Sequence, residues 1–380
     1  MKKEILYIDA INASTQYNFC LLNILNADGV KISFLTSKFA WESFPLPPNT
    51  KIFFFRCSTW LCEKFSLPRS ARQILRALEY PLDLIRLARL AGRQHVGTVH
   101  FNWSRLPALD LVLIQYLKRR GTQVILTAHN FLPHDSGERH KRSFVKLYES
   151  ADQIVVLTEF VRKEILAHTA IPEQQISVIP HPDFSEIVSA AGYSQDMLNA
   201  IQQENRILFF GAILPYKGLD VLIDAFAQVS PEYPQYRLCI LGNAYGHFAT
   251  YEKQIHETGV ANKTDYNPDF ISTEDLIREI KASKIGVLPY RRSSQSGVIP
   301  LVNTLGIPVI ATAVGGIPEM VLEGENGYLV SEVNADKLAE TLRTFLSSEE
   351  YQPSTEKVLN AGKKLFSREA IVLSLKQIYS

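Results

Sequence analysis

A lysine followed by a glycine, Lys217-Gly218, opens an amphipathic stretch, and a hydrophobic run ends just upstream at Gly211. The segment Leu208 to Phe226, LFFGAILPYKGLDVLIDAF, reads as a strand, a short loop and a helix start with a cation at the helix mouth. Unbonded N–H groups and the helix dipole favour an anion at such a place. A lysine adds a mobile point charge suited to phosphate, and Gly218 lets the backbone come close to a ligand. The plain alternative is a solvated lysine in a first helical turn.

A second anion-friendly segment runs from Ser293 to Glu319, SSQSGVIPLVNTLGIPVIATAVGGIPE. Ser294, Gln295, Ser296, Gly297 and Val298 follow a strand and precede a helical stretch. Small hydroxyl residues and a glycine at such a turn can form a nest of N–H donors. An ordinary cap by Ser296 is the equal alternative. Arg291 and Arg292 stand just upstream, suited to pair with phosphate or to lie exposed. Together the two segments suggest a site for a diphosphate-linked ligand.

The first half offers TAHNFLPHD, Thr127 to Asp135, where His129, Asn130, His134 and Asp135 crowd a strand end. Four polar residues at such a point favour function over structure. In DAINASTQYNFC, Asp9 to Cys20, the residues Asn12, Ser14 and Thr15 either face a ligand or cap the following helix. No second cluster completes a metal-ligand set beside His129, and the chain has no Asp-x-Asp pair. No metal is therefore expected.

These segments need strands to hold them. Short apolar runs at Ile5–Ile8, Lys31–Leu35, Lys51–Phe55, Thr98–Phe101, Gln123–Thr127, Gln153–Leu157 and Ile176–Ile179 alternate with helical patterns. The pattern restarts with Arg206–Phe210, Arg237–Leu241, Ile285–Pro289, Pro308–Thr312 and Gly327–Val330. Continuous apolar runs suit parallel strands buried on both faces, and the alternation implies right-handed crossovers. The expected fold is α/β, with two doubly wound domains facing a cleft and ligands beyond the carboxyl ends of the strands. The expected division is 1–183, a linker at 184–204, 205–366, and a final helix at 367–380 that returns to the first domain.

Length and composition agree. A chain of 380 residues suits two domains. Forty basic residues against 39 acidic ones give no sign of nucleic acid. From Lys51 to Arg93, however, nine basic residues face three acidic ones, with aromatics between them. An apolar helix face rimmed by arginine can lie on an anionic membrane, although a solvated face is the equal alternative. Cys20, Cys57, Cys62 and Cys239 have no metal-ligand spacing and read as reduced thiols of a cytoplasmic protein. No apolar run is long enough for a transmembrane helix, and MKKEILYIDA reads as a first strand rather than a signal peptide.

The order of these pieces resembles the retaining glycosyltransferases of family 4, which have the GT-B architecture. GAILPYKGLDVLIDAF is similar to the family's donor motif, and GIPVIATAVGGIPEMVLEGENGYLV to its donor-domain signature. ADQIVVLTEFVRKEIL and ISVIPHPDF match the usual last elements of its N-terminal domain. The resemblance implies transfer of a hexose from a UDP- or GDP-linked sugar to a glycan or lipid-linked glycan, without metal or other cofactor. That suits bacterial surface polysaccharide synthesis at the inner face of the membrane. By the motif, Lys217, with Gly211 and Gly218, binds the donor diphosphate, helped by Arg291 and the loop Ser294 to Val298. Phe270 and Ile271 meet the base, and His129 lies beside the reacting sugar. Asn12, Ser14, Thr15 and Asn130 stand on the acceptor side.

Two positions depart from the family pattern. Ala212 stands where many members have arginine, and Ser293 and Leu301 stand where most have two glutamates. Those glutamates usually hold the donor sugar, so these positions do not name the donor, and the Ser-Gly-Val loop marks a subgroup. Two other functions share the plan. A nucleotide-sugar 2-epimerase would need His129, Asp135 or His181 for proton transfer. A catalytically silent nucleotide-sugar-binding protein would follow from the missing glutamates.

Overall fold

The structure is a computed structural model that describes residues 4–12, 14–38, 45–65, 68–94, 96–133 and 137–380. His134 and Asp135 lie outside the described residues. The chain divides into two compact units, Met1–Pro180 with Glu369–Ser380, and His181–Arg368.

The first unit is built on seven parallel strands: β1 (Ile5–Asp9), β2 (Ile32–Thr36), β3 (Thr50–Ile52), β4 (Thr98–Phe101), β5 (Gln123–Ala128), β6 (Gln153–Val156) and β7 (Ile176–Val178). Their order is β3-β2-β1-β4-β5-β6-β7, so the winding reverses between β1 and β4. Alternate residues feed two cores. Leu6, Ile8, Val99 and Leu126 join one, and Ile5, Tyr7, Phe34 and Ile125 the other. The second core also takes Leu21 and Leu22 of α1 (Thr15–Ala27) and Ile371, Val372 and Leu375 of the helix Arg368–Tyr379. Polar bonds fix that last helix. Tyr379 Oη and Thr127 Oγ1 each lie 2.7 Å from a ring nitrogen of buried His100. Gln123 Nε2 donates to the Ile378 carbonyl at 2.9 Å.

Between β3 and β4 stand α2 (Arg56–Phe65) and α3 (Arg69–Gln94), and α4 (Pro107–Arg119) follows β4. Helix starts leave N–H groups without partners. At α2 the buried carboxylates of α3 take them: Glu79 accepts from the backbone N–H of Cys57 and Ser58, and Asp83 from that of Phe55, at 2.8 to 2.9 Å. Phe54 and Phe55 were expected to be strand residues, but β3 stops at Ile52. Phe55 instead sits in the left-handed region, φ 56°, and starts the helix.

The second unit has six parallel strands: β8 (Arg206–Phe210), β9 (Arg237–Leu241), β10 (Thr264–Asn267), β11 (Ile285–Leu288), β12 (Val309–Thr312) and β13 (Gly327–Val330). Their order is β10-β9-β8-β11-β12-β13, with the reversal between β8 and β11. Strand β10 was not expected. Its residues are TDYN, the last three exposed at the sheet edge, so no apolar run marks it. The segment 184–204, expected as a linker, carries the helices Ser185–Ala190 and Gln195–Ala200 and groups with this unit.

Candidate active site

In the second unit the sequence motifs meet at the point where strand order reverses. Gly211 follows β8 with φ 105°, and Gly242 follows β9 so closely that a Cβ there would stand 2.1 Å from the Gly211 carbonyl oxygen. Backbone bonds carry this loop level outward, from Gly211 N–H to Leu241 O and from Gly242 N–H to Asn267 O. Phe270 and Ile271 lie in the loop after β10, the first exposed and the second half-buried.

The turn Pro215–Lys217 leads through Gly218 into the helix Leu219–Val229. Gly218 has φ 68°, and a Cβ on it would lie 2.0 Å from the Pro289 carbonyl oxygen, just past β11. Only glycine combines that backbone with that approach. Lys217 turns back beneath the loop. Its Nζ lies 5.3 Å from the ring centroid of buried Tyr290 and would stand 3.1 Å from a Cβ on Gly211. Among the described residues no carboxylate makes an ion pair with it. Burial pushes the pKa of its ammonium below the ordinary lysine value. A desolvated cation without a carboxylate is stabilised by an arriving anion.

Arg291 does not stand open beside Lys217. Its guanidinium forks onto both oxygens of Asp220 and donates to the Pro215 carbonyl at 2.8 Å. This pair clamps the helix start to the strand end. Arg292 lies 6.0 Å from the Tyr216 ring.

The loop Ser293 to Val298 is braced from within. Ser293 Oγ donates to Gln295 O at 2.6 Å, and its carbonyl accepts from Gly316 N–H at 3.1 Å. Ser296 Oγ accepts from Val298 N–H at 3.2 Å and also bonds the Tyr290 hydroxyl. Gln295 Oε1 lies 2.9 Å from Nε2 of buried His181, whose pKa burial lowers to about 4. The neutral ring therefore donates to the amide oxygen. Gly297 caps the helix Val298–Thr304 without a side-chain bond, and Ser294 is buried beside it.

In the first unit His129 directly follows β5, and Asp9 and Asn102 stand at the ends of the adjoining strands β1 and β4. Asn18 Nδ2 donates to Asp9 Oδ2 at 2.8 Å, Asn102 Nδ2 to Asn18 Oδ1 at 2.9 Å, and Asn102 Oδ1 meets His129 Nε2 at 2.9 Å. Trp103 stacks on the His129 ring at 4.4 Å and 5°, and Tyr17 meets it edge-on at 5.2 Å. His129 is 2% exposed, so Trp103 covers it.

Ser14 is the N-cap residue of α1 but makes no side-chain cap; its Oγ accepts from Trp103 Nε1–H at 2.9 Å. Thr15 donates back to the Asn12 carbonyl at 3.1 Å. Asn12 itself is left-handed, φ 51°, with Nδ2 on the Ser37 carbonyl and Oδ1 buried with no hydrogen-bond partner among the described residues. Asn130 is half-buried, and its carbonyl accepts from Tyr148 at 3.2 Å.

The sequence reading missed Asn18, Asn102, Trp103, Gly242 and Tyr290. Asn102-Trp103 and Tyr290 had a signal, since they follow recognisable strand runs directly; Asn18 sits mid-helix and had none. Among the described residues no cluster of His, Cys, Asp or Glu suits a metal, and no helix is long and apolar enough to cross a membrane. All four cysteines are free.

Two family models divide the chain along these lines. The model of glycosyl transferases group 1 matches residues 195–364, and that of Glycosyltransferase Family 4 matches residues 17–182. A D-inositol 3-phosphate glycosyltransferase of Corynebacterium efficiens is 29% identical over 245 residues, 62% of this chain and 58% of that protein. A GDP-mannose:glycolipid 4-beta-D-mannosyltransferase of Xanthomonas campestris pv. campestris is 27% identical over 210 residues, 54% of each chain. The chain thus spans little more than half the length of these relatives.

Solved structures match nearly end to end. Anabaena Alr3699/HepE in complex with UDP and glucose superposes with a TM-score of 0.71 at 16% identity, covering 99% of both chains. WaaG, a glycosyltransferase involved in lipopolysaccharide biosynthesis, gives 0.67 at 14% identity, again over 99% of both. At such identity the likeness establishes the fold, two Rossmann-like α/β sheets of the GT-B class.

Proposed function

The chain belongs to glycosyltransferase family 4, and from that premise we propose that it moves a hexose from a UDP- or GDP-linked sugar to a glycan acceptor with retention and without a metal. The observation that carries this reading is Lys217, a desolvated ammonium with no carboxylate partner among the described residues, at a glycine-lined switch point. A nucleotide diphosphate leaving group is the anion it lacks. As the glycosidic bond breaks, charge builds on the diphosphate, and a pre-placed cation stabilises that charge without reorganisation. The relation to a GDP-mannose enzyme and the likeness to a UDP-binding structure support a nucleotide-sugar donor.

Arg291 contributes by neutralising Asp220, which would otherwise face the diphosphate as a like charge. His129 positions the sugar or acceptor rather than serving as an obligatory base. Ser293, where a glutamate is usual, has become part of the loop's own scaffold. His181 is bound up in that loop as a neutral donor to Gln295, which disfavours it as the proton carrier of an epimerase.

The purified protein is titrated with UDP-, GDP- and ADP-sugars without metal. Thermal stabilisation is read first and donor turnover by NMR second. Selective stabilisation with release or transfer of the α-configured sugar is expected. A β product would overturn retention. Stabilisation that needs a divalent ion would overturn metal independence. Stabilisation by none would leave a protein that does not bind such donors.

The acceptor in this reading is lipid-linked, and the enzyme works at the cytoplasmic face of an anionic membrane. The helix α3 supports it. Ile74, Leu78, Leu82 and Ile85 form one exposed row at helical spacing, and exposed Arg89 and Arg93 continue it. The two carboxylates of α3, Glu79 and Asp83, point inward to cap α2, so neither offsets these arginines. Trp60 and Phe65 of α2 are exposed as well. Flotation with vesicles containing phosphatidylglycerol is expected, with none on phosphatidylcholine, and Leu78→Glu should abolish it. Equal absence from both vesicle types would remove the membrane.

A further inference from the structure

The polar chain behind His129 has a direction. A carboxylate only accepts, so Asn18 must turn its amide nitrogen to Asp9 Oδ2, at 2.8 Å. The remaining amide oxygen of Asn18 then accepts from Asn102 Nδ2 at 2.9 Å, and that nitrogen also lies 3.4 Å from Asp9 Oδ2. Asn102 is left with its oxygen toward His129 Nε2 at 2.9 Å, so the ring nitrogen must donate. Asp9, Asn18 and Asn102 are fully buried, out of reach of water that could reverse a link. The ring plane is fixed independently by the parallel Trp103, itself tied to Ser14.

We propose that Asp9 is a positioning residue that acts through Asn18 and Asn102 to hold His129 as the Nε2–H tautomer in one ring orientation. In the neutral ring Nδ1 is then the acceptor nitrogen. Asparagine at position 9 would remove the direction while keeping the shape. Either end of the new amide can face Asn18, and the links beyond it can run either way. The effect on turnover rests on the reading that His129 serves the bound sugar; the effect on the tautomer does not.

The test uses the full chain, isotope-labelled at its histidine ring nitrogens and read by long-range proton–nitrogen NMR spectra. The His129 signals are identified by their loss in His129→Gln. The wild-type ring should show Nε2 protonated; a wild-type Nδ1–H tautomer overturns the proposal without any variant. Asp9→Asn should give a mixture of tautomers and lower kcat roughly ten- to a hundredfold with KM nearly unchanged, as expected for a misplaced group.

The swap Asp9→Asn with Asn18→Asp restores the order. The amide now at position 9 donates to the carboxylate now at position 18, and that carboxylate still accepts from Asn102. The swap should recover both the single tautomer and most of the turnover. A clean Nε2–H ring in Asp9→Asn, or lost turnover with an unchanged tautomer, overturns the proposal. A tautomer lost in the single variant and regained in the swap, in a protein that turns over no donor, would uphold the positioning role and sink the transferase reading instead.

Discussion

The two units place their polar groups at the same topological point and finish them in opposite ways. Between β1 and β4 in the first unit, Asp9, Asn18, Asn102 and His129 are linked by hydrogen bonds in one buried chain. Between β8 and β11 in the second, glycines strip side chains from the turn, and Lys217 meets no carboxylate among the described residues. The reversal of strand order opens a crevice in either sheet, lined in the first by amides hydrogen-bonded to a buried carboxylate and in the second by a cation. A hydrogen-bonded cluster gives orientation, whereas a desolvated cation gives affinity for an anion. In the proposed reaction the first suits a group that aims, and the second a group that stabilises developing charge.

Removing the charge should break this comparison hardest. Lys217→Ala is expected to lower donor turnover by about a hundred- to a thousandfold, on the scale of one lost oxyanion donor. Its melting temperature should hold or rise, because a desolvated cation is removed. Near wild-type turnover would mean that Lys217 is structural. Gly218→Ala comes next. The new Cβ meets backbone at 2.0 Å with φ at 68°, so strain of about 1–3 kcal/mol is expected. Calorimetry and donor titration should show lower stability together with weaker binding. Unchanged binding in a destabilised protein would separate the glycine from the ligand.

The same contrast governed what could be read from the sequence. The second site is written locally: strand run, glycine, lysine-glycine and helix fall within one short segment, so the motif was visible. The role of Arg291 was not, because its partner Asp220 lies 71 residues away. The first site is assembled from three strand ends and the middle of a helix. His129 was singled out by type, while Asn18 and Asn102, 84 residues apart, look like ordinary amides until the sheet brings them together. The sheets themselves were legible because buried parallel strands are apolar throughout. Where burial fails, as at the exposed TDYN edge of β10, so did the reading.

His100 in the first unit and His181 in the second are buried as neutral rings, and acid should test both. Burial lowers His100 to about 3 and His181 to about 4, against an ordinary value of 6.5. The unfolded chain then binds the extra proton first as pH falls. Stability is fully present above about 6.5, falls as pH drops below it, and goes on falling toward 4 for His181 and toward 3 for His100. The slope is about 1.4 kcal/mol per pH unit for each group. The unfolding free energy of His181→Asn should fall less steeply than that of the wild type between pH 6 and 4.5, by about 1.4 kcal/mol per pH unit. An unchanged slope would mean that His181 ionises freely in the fold.

The finest test asks whether Ser14 belongs to the site or only to its helix. It stands at the N-cap position of α1, where a serine usually accepts from a backbone N–H two or three residues on. Here its oxygen takes the indole N–H of Trp103 instead. Ser14→Ala should therefore cost about 1 kcal/mol, the worth of one part-buried hydrogen bond. In a Trp103→Phe background, which has no indole N–H to satisfy, the same change should cost close to nothing. Urea unfolding of the four proteins in this cycle gives the coupling directly. A full coupling would tie the start of α1 to the indole that covers His129, and so make Ser14 part of the hydrogen-bonded cluster. A cost that persists in the phenylalanine background would assign Ser14 to capping, and the orientation of Trp103 would rest on its stack with His129.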